Sequence, residues 1–103
     1  MGMMTGGCLC GGVRYETGEP VMTGVCHCRD CQKQTGTSFS IIAVLPEGDF
    51  TLHGQPSQFV TVGESGGRVW RHFCGHCGSP IYSIVESMPG VVCIKAGTLD
   101  DPS

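Results

Sequence analysis

The stretch Arg68-Val69-Trp70-Arg71-His72-Phe73-Cys74-Gly75-His76-Cys77-Gly78-Ser79-Pro80-Ile81 decides how this chain folds. Its first six residues alternate. Val69, Arg71 and Phe73 share one face, Trp70 and His72 the other, which is the period of a β-strand. A Cys-x-x-Cys pair follows at once. That is the commonest half-site spacing for structural zinc, and Gly75 and Gly78 let the backbone turn beneath the metal. A strand ending in a metal knuckle explains how so short a chain holds itself together. The sequence has 103 residues and is 40% apolar, but 8 of the apolar residues are Cys. One small domain over residues 1–103, with a thin aliphatic and aromatic core, is expected, and a metal would supplement that core.

Working outward, the same alternation recurs. Val13 and Tyr15 alternate with Arg14 and Glu16. Ser38 to Leu45 is an apolar strand stopped by Pro46, and Phe50 and Leu52 alternate with Thr51 and His53. Gln58–Val62, Ile81–Val85 and Val91–Ala96 complete about seven strands. Turns fall at Glu19-Pro20, Gly63-Glu64-Ser65-Gly66-Gly67 and Ser87-Met88-Pro89-Gly90. Met1 to Gly7 reads as a loose start. With 17 Gly and 6 Pro the chain is rich in turns. It is therefore not a helical bundle, and its longest apolar run, Ile41 to Leu45, is too short for a membrane helix. No stretch resembles an export signal, so a cytoplasmic, reducing setting is expected, with metal rather than disulfides. The net charge of -3 supplies no basic footprint for nucleic acid or for an anionic membrane.

The cysteines cluster, as convergent ligands do. Cys8-x-Cys10, followed by Gly11-Gly12, can complete a four-sulfur site with Cys74 and Cys77. That would tie the first strand to a late hairpin across about 63 residues. Cys26-His27-Cys28-Arg29-Asp30-Cys31 offers three thiolates, followed by Gln32-Lys33-Gln34-Thr35 and a capping Gly36. It reads as a knuckle running into a short helical turn. Three ligands with an open fourth position is the pattern of a zinc that does chemistry, and all-sulfur ligation favours an incoming thiol over a hydrolytic water. The competing reading is a second staple completed by His27, His76 or Cys93. His27 otherwise reads as a surface or supporting residue. Trp70, Phe73 and Phe39 read as core, and Cys93 as a small buried hydrophobe.

The order Cys-x-Cys-Gly-Gly-Val, Cys-His-Cys-x-x-Cys-x-Lys-x-x-Gly, Phe-Cys-x-x-Cys-Gly-Ser-x-Ile and Gly-Thr-Leu-Asp, from Gly7 to Asp101, closely resembles the glutathione-dependent formaldehyde-activating enzyme family. That family includes the centromere protein V type. The resemblance implies a β-tent: antiparallel sheets folded about zinc, as in methionine-R-sulfoxide reductases. It implies two Zn(2+) per chain, a structural one on Cys8, Cys10, Cys74 and Cys77 and a catalytic one on Cys26, Cys28 and Cys31. It implies carbon–sulfur lyase chemistry, joining glutathione or another thiol to formaldehyde or another small aldehyde. Arg29, Lys33 and the backbone near Gly36 are the candidate contacts to the thiol substrate. Relatives usually continue past Gly-Thr-Leu-Asp, whereas this sequence ends at Ser103. A short or truncated member is expected, with an exposed edge that a homodimer could cover. The alternative is a non-enzymatic zinc-binding interaction module on the same fold. Least favoured is a sulfoxide reductase using Cys93.

Overall fold

The computed structural model describes residues 3–63 and 66–101. Nine strands and one α-helix follow in order: β1 (Met4–Gly7), β2 (Arg14–Thr17), β3 (Met22–Cys26), α1 (Arg29–Thr35), β4 (Ser40–Pro46), β5 (Phe50–His53), β6 (Ser57–Val62), β7 (Arg68–Phe73), β8 (Pro80–Val85) and β9 (Val91–Lys95). They form two antiparallel sheets. The smaller has the order β1-β2-β5, the larger β3-β4-β9-β8-β7-β6. This is the mainly β arrangement of folded antiparallel sheets, with one helix, that the sequence implies.

The period of two divides the large sheet into two faces. Ala43 stands opposite Ile94, Leu45 opposite Val92 and Tyr82 opposite Ile94. These side chains turn toward the small sheet and pack with Val13 and Tyr15 into one core, with Phe50 and Leu52 against it. The other face runs through Arg71, Ser83 and Cys93, which are paired in register from strand to strand. That face lies under α1.

The Gly97-Thr98-Leu99-Asp100 segment clasps the small sheet. Thr98 Oγ1 and the Tyr15 hydroxyl are 2.7 Å apart, and Asp100 N donates to Thr5 O at 2.9 Å. The Asp100 carboxylate accepts from Thr5 Oγ1 at 2.6 Å and pairs with both terminal nitrogens of Arg14. Arg14 and Thr5 hold that carboxyl down to about 2.

Three expectations need correction. Met4–Gly7 is a strand rather than a loose start. Gly6 is there because its backbone runs against Tyr15 and Thr98: a Cβ would lie 2.5 Å from Thr98 O. Met22–Cys26, unread in the sequence, is an edge strand whose Met22 and Val25 are exposed, so it carries no inward apolar signal. Phe39, read as core, is exposed and packs its ring against His27 at 5.9 Å. In the β6–β7 hairpin Gly63 N donates to Gly67 O at 2.8 Å, and Glu64 and Ser65 lie outside the described residues. No described helix is long and apolar enough to cross a membrane.

Candidate functional site

Two groups of sulfurs assemble. Cys8 and Cys10 come from the turn after β1, Cys74 and Cys77 from the turn joining β7 to β8. Their four Sγ atoms lie within 4.8 Å of one another. Cys8 and Cys10 are 3.6 Å apart, Cys10 and Cys74 3.7 Å. Tetrahedral zinc with bonds of about 2.3 Å places its sulfurs about 3.8 Å apart, so this donor set fits zinc. Backbone amides steady the sulfurs. Val13 N donates to Cys8 Sγ at 3.2 Å, and His76 N and Cys77 N each donate to Cys74 Sγ at 3.4 Å. Gly78 supports the knuckle at φ 82°, its N–H bonded to Cys74 O at 2.8 Å. Hydrogen bonding by the Ser79 hydroxyl, then by backbone amides, pulls the Cys77 thiol down to about 5. A thiol held low in this way is suited to meeting a metal ion as the thiolate.

The second group is Cys26, Cys28 and Cys31, again within 4.8 Å. Cys26 ends β3. Cys28 is the N-cap of α1, and its Sγ accepts from Cys31 N at 3.3 Å. Cys31 lies in the first helical turn, so knuckle and helix overlap rather than follow one another. Gly36 closes the helix at φ 71°, its N–H given to Gln32 O at 2.8 Å. Cys26 and Cys28 are 3.5 Å apart and Cys31 and Cys26 3.1 Å, slightly inside the zinc spacing. In the metal-free chain, burial and then the neighbouring sulfurs push the Cys31 thiol up to about 12, so a metal must displace its proton.

The two groups differ in how they close. The first has four sulfurs. The second has three among the described residues, and it borders a cavity of about 500 Å³. None of the suggested fourth ligands joins it. His76 sits on the other knuckle and His27 packs against Phe39. Cys93 lines the same cavity outside the sulfur group; it is buried, and burial raises its thiol.

Of the proposed substrate contacts, Arg29 is exposed and lines this cavity. Lys33, also exposed, lines an adjoining cavity of about 410 Å³. Gly36 is at the far end of α1 and lines neither. Sequence reasoning missed the buried polar residues. Arg71, 6% exposed, lines both cavities. Its Nη1 donates to Gln34 Oε1 at 3.0 Å and reaches Cys31 Sγ at 3.8 Å, and its Nε donates to Thr61 Oγ1 at 3.0 Å. Lys95 and Ser83 complete that face. The signal for Arg71 was present: a cation alternating in step with Val69 and Phe73.

A crystal structure of a Rhodobacter sphaeroides protein has the same fold, with a TM-score of 0.74 and 22% identity, covering 94% of this chain and 88% of that one. Two curated fungal proteins, provisionally named as glutathione-dependent formaldehyde-activating enzymes, are each 29% identical over 82 residues. One is from Fusarium vanettenii and the other from Podospora anserina. The aligned part is 77% of this chain but only 44% and 38% of those relatives, so the chain spans less than half their length. The family model described as glutathione-dependent formaldehyde-activating enzyme matches residues 3–103, and the chain belongs to that family.

Proposed function

We propose that this chain joins a small thiol, glutathione in the first instance, to formaldehyde or a related aldehyde, as a carbon–sulfur lyase. The observation that carries the reading is the asymmetry of the two sulfur groups: one has four sulfurs, the other three beside a cavity. Cys8, Cys10, Cys74 and Cys77 would hold a structural zinc, and Cys26, Cys28 and Cys31 a second. Zinc at the three-cysteine group would supply the positive charge that lowers the pKa of an incoming thiol.

The protein's own residues do the rest. Arg71 braces Cys31 from behind, fixing one side of the group while Cys28 stays exposed to the incoming molecule. Ile42, Val69 and Val85 line the cavity and keep water away from the nucleophile. Arg29 on the cavity wall and Lys33 one turn further along α1 would meet the thiol's carboxylates. Free thiols at both groups require a reducing compartment, which supports the cytoplasm.

The test mixes zinc-loaded chain with glutathione and carbon-13 formaldehyde and follows hydroxymethyl exchange by NMR. A rate above the uncatalysed exchange, lost in Cys28→Ser with the circular dichroism spectrum retained, is expected. Two zinc ions per chain with no acceleration and no response to thiol would instead identify a zinc-binding module.

A further inference from the structure

Arg71 stands opposite Ser83, and Ser83 opposite Cys93, across three strands of the large sheet. Lys95, two residues along β9, returns to the same face. All four line the cavity beside the three cysteines. Arg71 is committed to Cys31, Gln34 and Thr61. Ser83 and Lys95 are not so committed.

Ser83 is 5% exposed, and its hydroxyl has no hydrogen-bond partner. Lys95 is 6% exposed and makes one hydrogen bond, from Nζ to Ser40 Oγ at 3.0 Å. Burial lowers the pKa of Lys95 while the Cys31 and Cys26 sulfurs oppose that shift; the ammonium carries three N–H donors, so two remain, and the neutral amine keeps one. Buried polar groups are nearly always satisfied. An orphan hydroxyl and an under-used ammonium on one cavity wall therefore point to an acceptor that arrives with the substrate. Among the described residues, the one carboxylate lining this cavity is Asp30, in the exposed first turn of α1. Arg29, Arg71 and Lys95 bring three positive charges to the described lining, against one negative charge from Asp30 and one net from three thiolates on a divalent metal, so the cavity favours a negative oxygen.

We propose that Ser83 and Lys95 form an oxyanion site that receives the aldehyde oxygen. The proposal rests on the thiol–aldehyde reading above. The thiol gives its proton to solvent, and its sulfur lone pair forms a bond to the carbonyl carbon. The π pair of the C=O bond moves onto oxygen. Ser83 Oγ–H and Lys95 Nζ–H donate to that alkoxide, which then takes a proton back from solvent. Thiol plus aldehyde becomes the hydroxymethyl thioether, with atoms and charge conserved. Nothing is oxidised or reduced. Such donors act where charge develops, so they lower the barrier more than they aid thiol binding.

Ser83→Ala is the decisive variant, because its hydroxyl holds nothing in the free protein. Its melting temperature should be unchanged or raised. Its kcat for adduct formation should fall about a hundredfold with the KM for thiol within about twofold. Lys95→Met should act in the same direction, and Ser83→Ala alone decides if Lys95→Met does not fold. A kcat for Ser83→Ala within about twofold of wild type overturns the site. If wild-type chain makes no adduct, the thiol–aldehyde reading fails and formate, a planar oxyanion, becomes the probe. Carbon-13 formate binding to the wild-type chain that weakens at least about tenfold in Ser83→Ala upholds the oxyanion site. Equal binding, or none, overturns it.

Discussion

Replacing Cys8 and Cys10 together by serine should destabilise this protein far more than replacing Cys28. The four-sulfur group joins positions 64 residues apart, from Cys10 to Cys74. Closing a loop of that length in the unfolded chain is worth about 4 kcal/mol by the chain-entropy estimate, before any metal–sulfur bonding is counted. Serine keeps an oxygen for the Val13 amide, so the loss comes from the cross-link rather than from a local hydrogen bond. For a chain of this size about 4 kcal/mol corresponds to a fall of roughly 20 °C in melting temperature. Cys28→Ser removes a sulfur from a group spanning only Cys26 to Cys31. It also leaves α1 with one of the best N-cap residues, so its cost should stay near 1 kcal/mol or below. The assay is guanidinium unfolding of zinc-loaded wild type and both variants, with zinc measured per chain. If Cys28→Ser falls as far as the double variant, the division into a structural and an open group is wrong.

Other outcomes follow from the same geometry. Arg71→Leu should weaken zinc retention at the three-cysteine group about tenfold or more, because the guanidinium braces Cys31, Gln34 and Thr61; competition with a chromophoric chelator reads this, and unchanged retention would show that Arg71 is only packing. Asp100→Asn should lower the urea midpoint at neutral pH. Arg14 and Thr5 depress the Asp100 carboxyl from 3.8 to about 2, so its stabilisation is complete above pH 4 and is lost as pH falls through about 2. The gap between variant and wild type should therefore close on acidification, and a gap independent of pH would refute the clasp. Gly6→Ala should cost about 1–3 kcal/mol, since its methyl meets the Tyr15 hydroxyl and the Thr98 carbonyl; a thermal melt equal to wild type would show that the clasp yields easily.

What could be read from the sequence was what is local. Both cysteine groups announce themselves by spacing, and α1 by Gly36 and the residues before it. Val13–Glu16, with an inward apolar face, declares itself by alternation, and Val91–Ala96 as a short apolar run after the Ser87-Met88-Pro89-Gly90 turn. β1 did not, because Gly6 and Gly7 contribute no side chain to a pattern. β3 did not, because an exposed edge strand has no buried face to betray it. The polar residues of the cavity were hidden for another reason. Arg71 meets Gln34 and Cys31 across 37 and 40 residues, and Lys95 meets Ser40 across 55. Only the sheet register brings them together, and no short motif records that register.

The two-faced large sheet has a consequence for how such a protein can diversify. On β9, Val92 and Ile94 hold the two sheets together, while Cys93 and Lys95 look into the cavity. On β8, Tyr82 belongs to the first set and Ser83 to the second. The lining of the cavity and the packing of the core are thus written on interleaved positions of the same strands. Substitutions at the cavity positions can retune the ligand with little disturbance of packing. A single-residue insertion in β8 or β9 exchanges the two sets and ruins both. Descendants of such a scaffold would therefore vary readily by point substitution at the cavity-lining positions, and scarcely at all by insertion within these strands.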